Sequence, residues 1–364
     1  MDKISSAVSP LPQTRVGHEA QPQPLMPEEA SGQGQAAQVD ASTGSESPLP
    51  ALVDYLRARG GGTTSSASAA PTIAVVDIGR HGVAVDSIAE EASQSGKNNV
   101  SHHELKPGAQ QNSDYSDQSL LDTLNRLAHT EPPPAVVNLS LGFSPADMLD
   151  ERLSALQGSF EKRYGKMVQW SAATQANYKS QVSTLVNDTT ADFARQDKSM
   201  GVKLRAAINA LVDKGVTVVV AAGNEGKIYQ QLADLGITLP PGFDRGFMYN
   251  NHTPPGVIVV GASVNGKPVA GHDSADFTRP STQVDVATDG VDYEYGDGTS
   301  LAAPQVAGLA ADILAVNPAL KPADVEAIIK QSASAVPGEE ATLGAGIINR
   351  KRALELAANW KPAA

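Results

Sequence analysis

Gly298-Thr299-Ser300-Leu301-Ala302-Ala303-Pro304-Gln305-Val306-Ala307-Gly308 places a serine at the mouth of a small-residue apolar run of helical character. A helix starting there aims unpaired backbone N–H groups and its positive dipole end at the space around the Ser300 hydroxyl. A serine nucleophile needs that environment, because its attack creates an oxyanion. The plain alternative is that Thr299 and Ser300 only cap a buried helix. The rest of the chain decides between the two.

Working outward, apolar runs alternate with helical patterns from Pro71 onward. Thr72-Ile73-Ala74-Val75-Val76 reads as a buried strand ending at Asp77, and Val83 to Ala92 as a helix. Val100 to Lys106 reads as a second strand. Asp117 to His129 reads as a helix with Leu120, Leu121, Leu124 and Leu127 on one face. Val136 to Gly142, Val216 to Ala222 and Val257 to Ala262 are further strands, and Val202 to Lys214 a further helix. Strands apolar on both faces, alternating with helices, predict an α/β fold with a mostly parallel central sheet between helical layers. Residues 145–200 break this rhythm. They are polar and helix-prone, with Leu149, Leu153, Leu156 and Phe160 near helical spacing, and predict an inserted helical hairpin or lid.

Composition narrows the function classes. The 364 residues carry 28 basic and 40 acidic side chains, a net charge of −12, which argues against nucleic acid or an anionic membrane as the main partner. There is no cysteine, so disulfides, thiolate catalysis and cysteine-ligated zinc are excluded. No uninterrupted apolar run reaches the roughly 18 residues of a membrane span. The polar start, MDKISSAVSPLPQTRVG, lacks the apolar centre of a secretory signal peptide. Cytoplasmic residence, or export by a route without such a signal as for bacterial effectors, is the expectation. Residues 1–70 read as a disordered region and linker with one short helix at Leu49 to Arg59, 71–358 as the folded domain, and 359–364 as a tail.

In open parallel sheets, functional residues gather at the carboxyl ends of strands. Asp77 ends the first strand, and Asn224 follows the Val216–Ala222 strand. Ser300 opens its helix, and His81 lies four residues beyond Asp77. These blocks resemble those of the subtilisin-like (subtilase) serine peptidases and occur in that family's order. They are Val75-Val76-Asp77-Ile78-Gly79, His81-Gly82, Val137 to Gly142, Ala221-Ala222-Gly223-Asn224, Val259-Val260-Gly261-Ala262, Gly298 to Pro304, and Leu343 to Asn349.

The resemblance implies a subtilisin-like three-layer fold and a serine endopeptidase. Ser300 would be its nucleophile, His81 the general base and Asp77 the residue that orients the imidazole. It implies Asn224 as oxyanion donor, supported from behind by Thr299. Ser140, Leu141 and Gly142 would pair with the substrate backbone, and Ala221, Ala222 and Gly223 would wall the specificity pocket. The implied partner is a protein or peptide substrate, and no cofactor is expected. Calcium is common in the family, but the sequence offers no compact cluster of oxygen ligands, so no metal is expected. Asp285, Asp289, Asp292 and Asp297 read as solvated loop carboxylates.

The chain departs from the family where a few tens of residues, including a strand, normally separate the aspartate from the histidine. Here the two are only four positions apart, with Gly79 between them available for the turn. The family's second histidine, three residues on, is replaced by Ala84. A sedolisin-type reading would use a glutamate base, and Asp86 and Glu90 share a helix face, but Asn224 stands where those enzymes carry aspartate. The competing function is a catalytically silent subtilase fold used for binding or as an effector. Among the other histidines, His102, His103 and His129 read as surface or helix-end residues.

Overall fold

The computed structural model describes residues 70–94, 99–107, 116–142, 144–244, 253–264, 284–292 and 296–361. The expected N-terminal linker and short helix, and His18, His252 and His272, lie outside these residues.

Strands β1 (Ile73–Asp77), β2 (Val100–Glu104), β3 (Val136–Leu139), β4 (Thr217–Ala221), β5 (Val257–Ser263) and β6 (Val286–Asp289) form one sheet in the order β2-β1-β3-β4-β5-β6. Every pairing is parallel. The inner strands β1, β3, β4 and β5 are buried throughout, as their unbroken apolar runs require.

Alternate residues feed two cores, so the sheet is the middle of three layers. Ile73, Val75, Val219, Ile258 and Val260 pack toward helices α1 (Gly79–Ala92) and, later in the chain, α7 (Thr299–Val316), α8 (Pro322–Ser332) and α10 (Arg350–Asn359). Val76, Val137, Leu139, Val218 and Val220 pack toward α2 (Asp117–Ala128) and α5 (Val202–Asp213). The fold is thus the expected α/β arrangement.

The insertion holds α3 (Pro145–Tyr164) and α4 (Ala172–Gln196), which runs on through a wider turn at Asp197–Gly201 into α5. It has a core of its own. Leu149, Leu153, Phe160, Trp170, Tyr178 and Val182 pack with Ile228 and Leu232 of α6 (Gly226–Asp234) and with Phe243. Phe160, Trp170 and Tyr178 meet with ring centroids 5.0–5.4 Å apart in tilted or edge-on pairs. A short helix α9 (Glu340–Leu343) precedes the closing segment, where Ile347 bridges Ala287 and Ser334.

Helix α7 is long and apolar enough to cross a membrane, yet it is almost wholly buried as the central helix of the fold. Its small residues serve close packing. A Cβ on Gly308 would lie 2.7 Å from the carbonyl carbon of Ala92, so α1 and α7 cross nearly backbone to backbone. At the far end of α1, the buried Asp312 of α7 accepts from the Ser93 hydroxyl at 3.2 Å and the Gln94 N–H at 3.0 Å, and pairs with Arg350 of α10. These contacts fix the two helices that carry His81 and Ser300.

Three local differences from the sequence reading have physical causes. Helix α1 begins at Gly79 rather than Val83, because packing on α7 and β2 outweighs the poor helix propensity of Gly79 and Gly82. Strand β3 stops at Leu139, leaving Ser140-Leu141-Gly142 as irregular chain beyond its end. Asp285 is buried rather than solvated, held by Lys330 Nζ at 2.6 Å and by the Val259 N–H at 2.8 Å.

Candidate active site

The carboxyl ends of β1, β3 and β4 and the N-terminus of α7 meet at one end of the sheet. Asp77 is the last residue of β1 and is fully buried. Its Oδ1 accepts the Ile78 N–H at 2.7 Å, which orients the carboxylate. One residue later the chain turns into α1 at Gly79, whose φ of +39° strains any side chain. That turn puts His81 in the first turn of the helix, over the strand it has just left. Its Nδ1 lies 2.8 Å from Asp77 Oδ1, and its Nε2 lies 3.0 Å from Ser300 Oγ. The four-residue spacing is therefore compatible with one hydrogen-bonded line through all three side chains. The His81 side chain keeps 37% of its exposure, while Asp77 keeps none.

Ser300 is the second residue of α7. The helix contains Pro304, which has no N–H to give to the carbonyl four residues back, that of Ser300. The Ser140 hydroxyl takes that place, donating to the Ser300 carbonyl at 2.8 Å, and itself accepts from Asn138 Nδ2 at 3.0 Å. Ser140, read from the sequence as a substrate-pairing residue, thus also touches the backbone of the candidate nucleophile. The signal for it was Pro304, four residues past Ser300.

Asn224 follows β4 and is exposed at the same end. Its Oδ1 accepts two hydrogen bonds from Thr299, one from the backbone N–H at 3.0 Å and one from the hydroxyl at 2.9 Å. The Thr299 hydroxyl in turn accepts from the Gly223 N–H at 3.1 Å. With Oδ1 occupied, the amide nitrogen is the free end of the side chain. Gly298 faces both side chains: a Cβ there would lie 3.1 Å from Ser300 Oγ and 3.3 Å from Asn224 Nδ2. The missing side chain leaves an open notch between hydroxyl and amide.

Ala221, Ala222 and Gly223 are buried at the end of β4. The next residue but one, Glu225, is buried too, and its Oε1 accepts from the hydroxyl of Ser144, the N-cap of α3. The inserted hairpin is in this way bonded to the loop that carries Asn224. Among the other histidines, His102 pairs with Asp86 at 3.0 Å, His103 lies against Arg126 and Ser101, and His129 Nδ1 meets the Asn125 carbonyl at the end of α2. Asp86 is therefore engaged by His102 rather than by Ser300. No group of three or more metal-ligating side chains occurs among the described residues.

The subtilase family model (peptidase S8) matches residues 63–346. The chain is 32% identical over 174 residues to an extracellular protease of Xanthomonas campestris pv. campestris, an alignment covering 44% of this chain and 27% of that protein. It is 31% identical over 161 residues to subtilisin of Bacillus pumilus, covering 42% of this chain and 51% of that protein. The chain thus spans about a quarter to a half of the length of these curated relatives. Among solved structures it is similar to MycP1 from the ESX-1 type VII secretion system, at 17% identity and a TM-score of 0.45, over 87% of this chain and 86% of that one.

Proposed function

The chain belongs to the subtilase family, and from that footing we propose that it is a serine endopeptidase acting through Asp77, His81 and Ser300. The observation that carries the reading is the line from Asp77 Oδ1 through His81 to Ser300 Oγ, with links of 2.8 and 3.0 Å. The buried Asp77 carboxylate holds the imidazole proton on Nδ1, leaving Nε2 as the acceptor that faces Ser300. Ser300 attacks the scissile carbonyl while His81 takes its proton, then returns it to the leaving amine. Asp77 stays ionised and stabilises the imidazolium between these steps.

The oxyanion forms in the notch at Gly298. Asn224 Nδ2 and the Ser300 N–H at the start of α7 are its donors, and Thr299 fixes the amide so that no reorientation is needed during the reaction. A protein or peptide substrate lies extended beside Ser140-Leu141-Gly142, with main-chain hydrogen bonds supplying affinity. Ala221, Ala222 and Gly223 form the opposite wall, where small side chains leave room for a substrate side chain.

A fluorophosphonate probe tests this directly. It labels Ser300 in the wild-type chain and fails on Ser300→Ala and His81→Ala. Absence of wild-type labelling would reject the activity, and labelling that survives His81→Ala would reject the base.

A further inference from the structure

Only Ile78, Gly79 and Arg80 separate Asp77 from His81. The helix begins after Ile78, with no side-chain cap, on a glycine that has open space around it. Yet His81 must keep two hydrogen bonds at once. A second Asp–His couple, His102 with Asp86, lies just behind it.

Strand β2 follows α1 in the chain and pairs with β1 as the edge of the sheet, with His102 opposite Val75. The His102 ring reaches back over α1. A Cβ on Gly82 would lie 2.1 Å from His102 Cε1, so the ring rests on the bare backbone of the residue next to His81. The same ring, through Nδ1, binds Asp86 Oδ2 at 3.0 Å. Gly82 and Asp86 are four apart and share one stripe of the helix. His102 therefore spans the first turns of α1 along that stripe, while the adjacent His81 faces Asp77 and Ser300. Asp86 Oδ1 is buried with no hydrogen-bond partner among the described residues, so His102 carries the polar pairing of this carboxylate. Burial raises the Asp86 pKa, and the pairing with His102 works against that rise.

We propose that His102 and Asp86 are positioning residues for His81, clamping the N-terminal half of α1 to the edge strand β2. The inference rests on the reading of His81 as the base. Neither residue touches the reacting atoms.

The test compares fluorophosphonate labelling of Ser300 in wild type, His102→Ala, His102→Gln and Asp86→Asn, with thermal unfolding of each. His102→Ala is expected to lower the maximal labelling rate about ten- to a hundredfold with the half-saturating probe concentration unchanged, the scale of a small misplacement of a reacting group. His102→Gln, which keeps a donor for Asp86, and Asp86→Asn, which keeps an acceptor for His102, are expected to recover most of that rate. Wild-type labelling rates in folded His102→Ala, or a loss that only follows the unfolded fraction, would overturn the proposal.

A second readout is independent of labelling. The His81 Nδ1–H proton resonance reports the bond to Asp77. It is expected to be sharp in wild type and exchange-broadened in His102→Ala, and a resonance equally sharp in both would overturn the clamp. Failure of wild-type labelling alone would instead sink the peptidase reading.

Discussion

Thr299 grips Asn224 twice, through its backbone N–H at 3.0 Å and its hydroxyl at 2.9 Å, both on the same amide oxygen. The grip decides which end of the amide faces the notch beside Ser300. Thr299→Val removes one of the two bonds while keeping the shape. It is expected to lower kcat about tenfold with KM unchanged, since the lost orientation matters to the oxyanion and not to ground-state binding. Asn224→Ala removes the donor itself and is expected to cost about 10²–10³ in kcat, the scale known from the oxyanion asparagine of subtilisin, a relative of this chain. Steady-state kinetics on a peptide substrate separates the two.

Ser140 and Pro304 form a compensating pair. The proline denies the Ser300 carbonyl its helical partner, and the Ser140 hydroxyl supplies one at 2.8 Å. Ser140→Ala leaves that carbonyl unsatisfied, at an expected cost of about 1–3 kcal/mol in stability. Adding Pro304→Ala restores a helical N–H to the same oxygen, so the double variant is expected to recover stability lost in the single one. Urea unfolding of the four chains reads the rescue, and additive losses would refute the pairing.

The Asp312–Arg350 pair is buried at the junction of α7, α10 and the end of α1, with the aspartate fully inaccessible. Burial lowers the Arg350 pKa, and the neighbouring Asp312 carboxylate opposes that shift. Arg350→Met strands a charge in the core, and the expected loss is about 3–5 kcal/mol. The same substitution loosens the C-terminal end of α1, where Asp312 holds Ser93 and Gln94. Hydrogen exchange is therefore expected to rise across residues 88–94 in this variant.

His103 gives the fold a dependence on acid. Burial lowers its pKa, and the positive charge of Arg126 and the neighbouring His102 lower it further. The folded state thus binds this proton less readily than the unfolded chain. Stability is intact above the ordinary imidazole pKa of about 6.5, and falls as pH drops through that value toward the lower folded one. His103→Gln is expected to flatten this part of the stability–pH curve, measured as urea midpoints between pH 7.5 and pH 5.

The sheet and the order of the candidate site residues were legible in the sequence, because both are local signals. Val218-Val219-Val220 reads as a buried strand from its length and β-branched residues, and the serine at the head of a small-residue helix takes its meaning from Asp77, His81 and Asn224 at the other element ends. What stayed hidden depends on partners far along the chain. Nothing local to Ser140 says that its hydroxyl will cap a carbonyl 160 residues away. The hairpin's helices were readable from Leu149, Leu153 and Phe160. Their docking on Ile228, Leu232 and Phe243 was not, since that core joins segments more than sixty residues apart. Asp285 looked like a loop carboxylate because its partner, Lys330, sits 45 residues downstream. His102 does lie at the surface, as its sequence suggested, and what stayed hidden was its contact with Asp86, sixteen residues upstream.

The short path from β1 into α1 also sets an order of assembly. Asp77 and His81 meet across four residues, a loop whose closure costs little chain entropy, so their couple forms as soon as that strand and helix do. Ser300 joins across 219 residues, after β3, β4, β5 and the hairpin have been laid down between them. In the proposed mechanism the Asp77–His81 couple is thus a contact local in the chain, and the nucleophile is supplied from far downstream. The hydroxyl reaches His81 only once the sheet is complete, so on that mechanism folding to the end would itself be the safety catch.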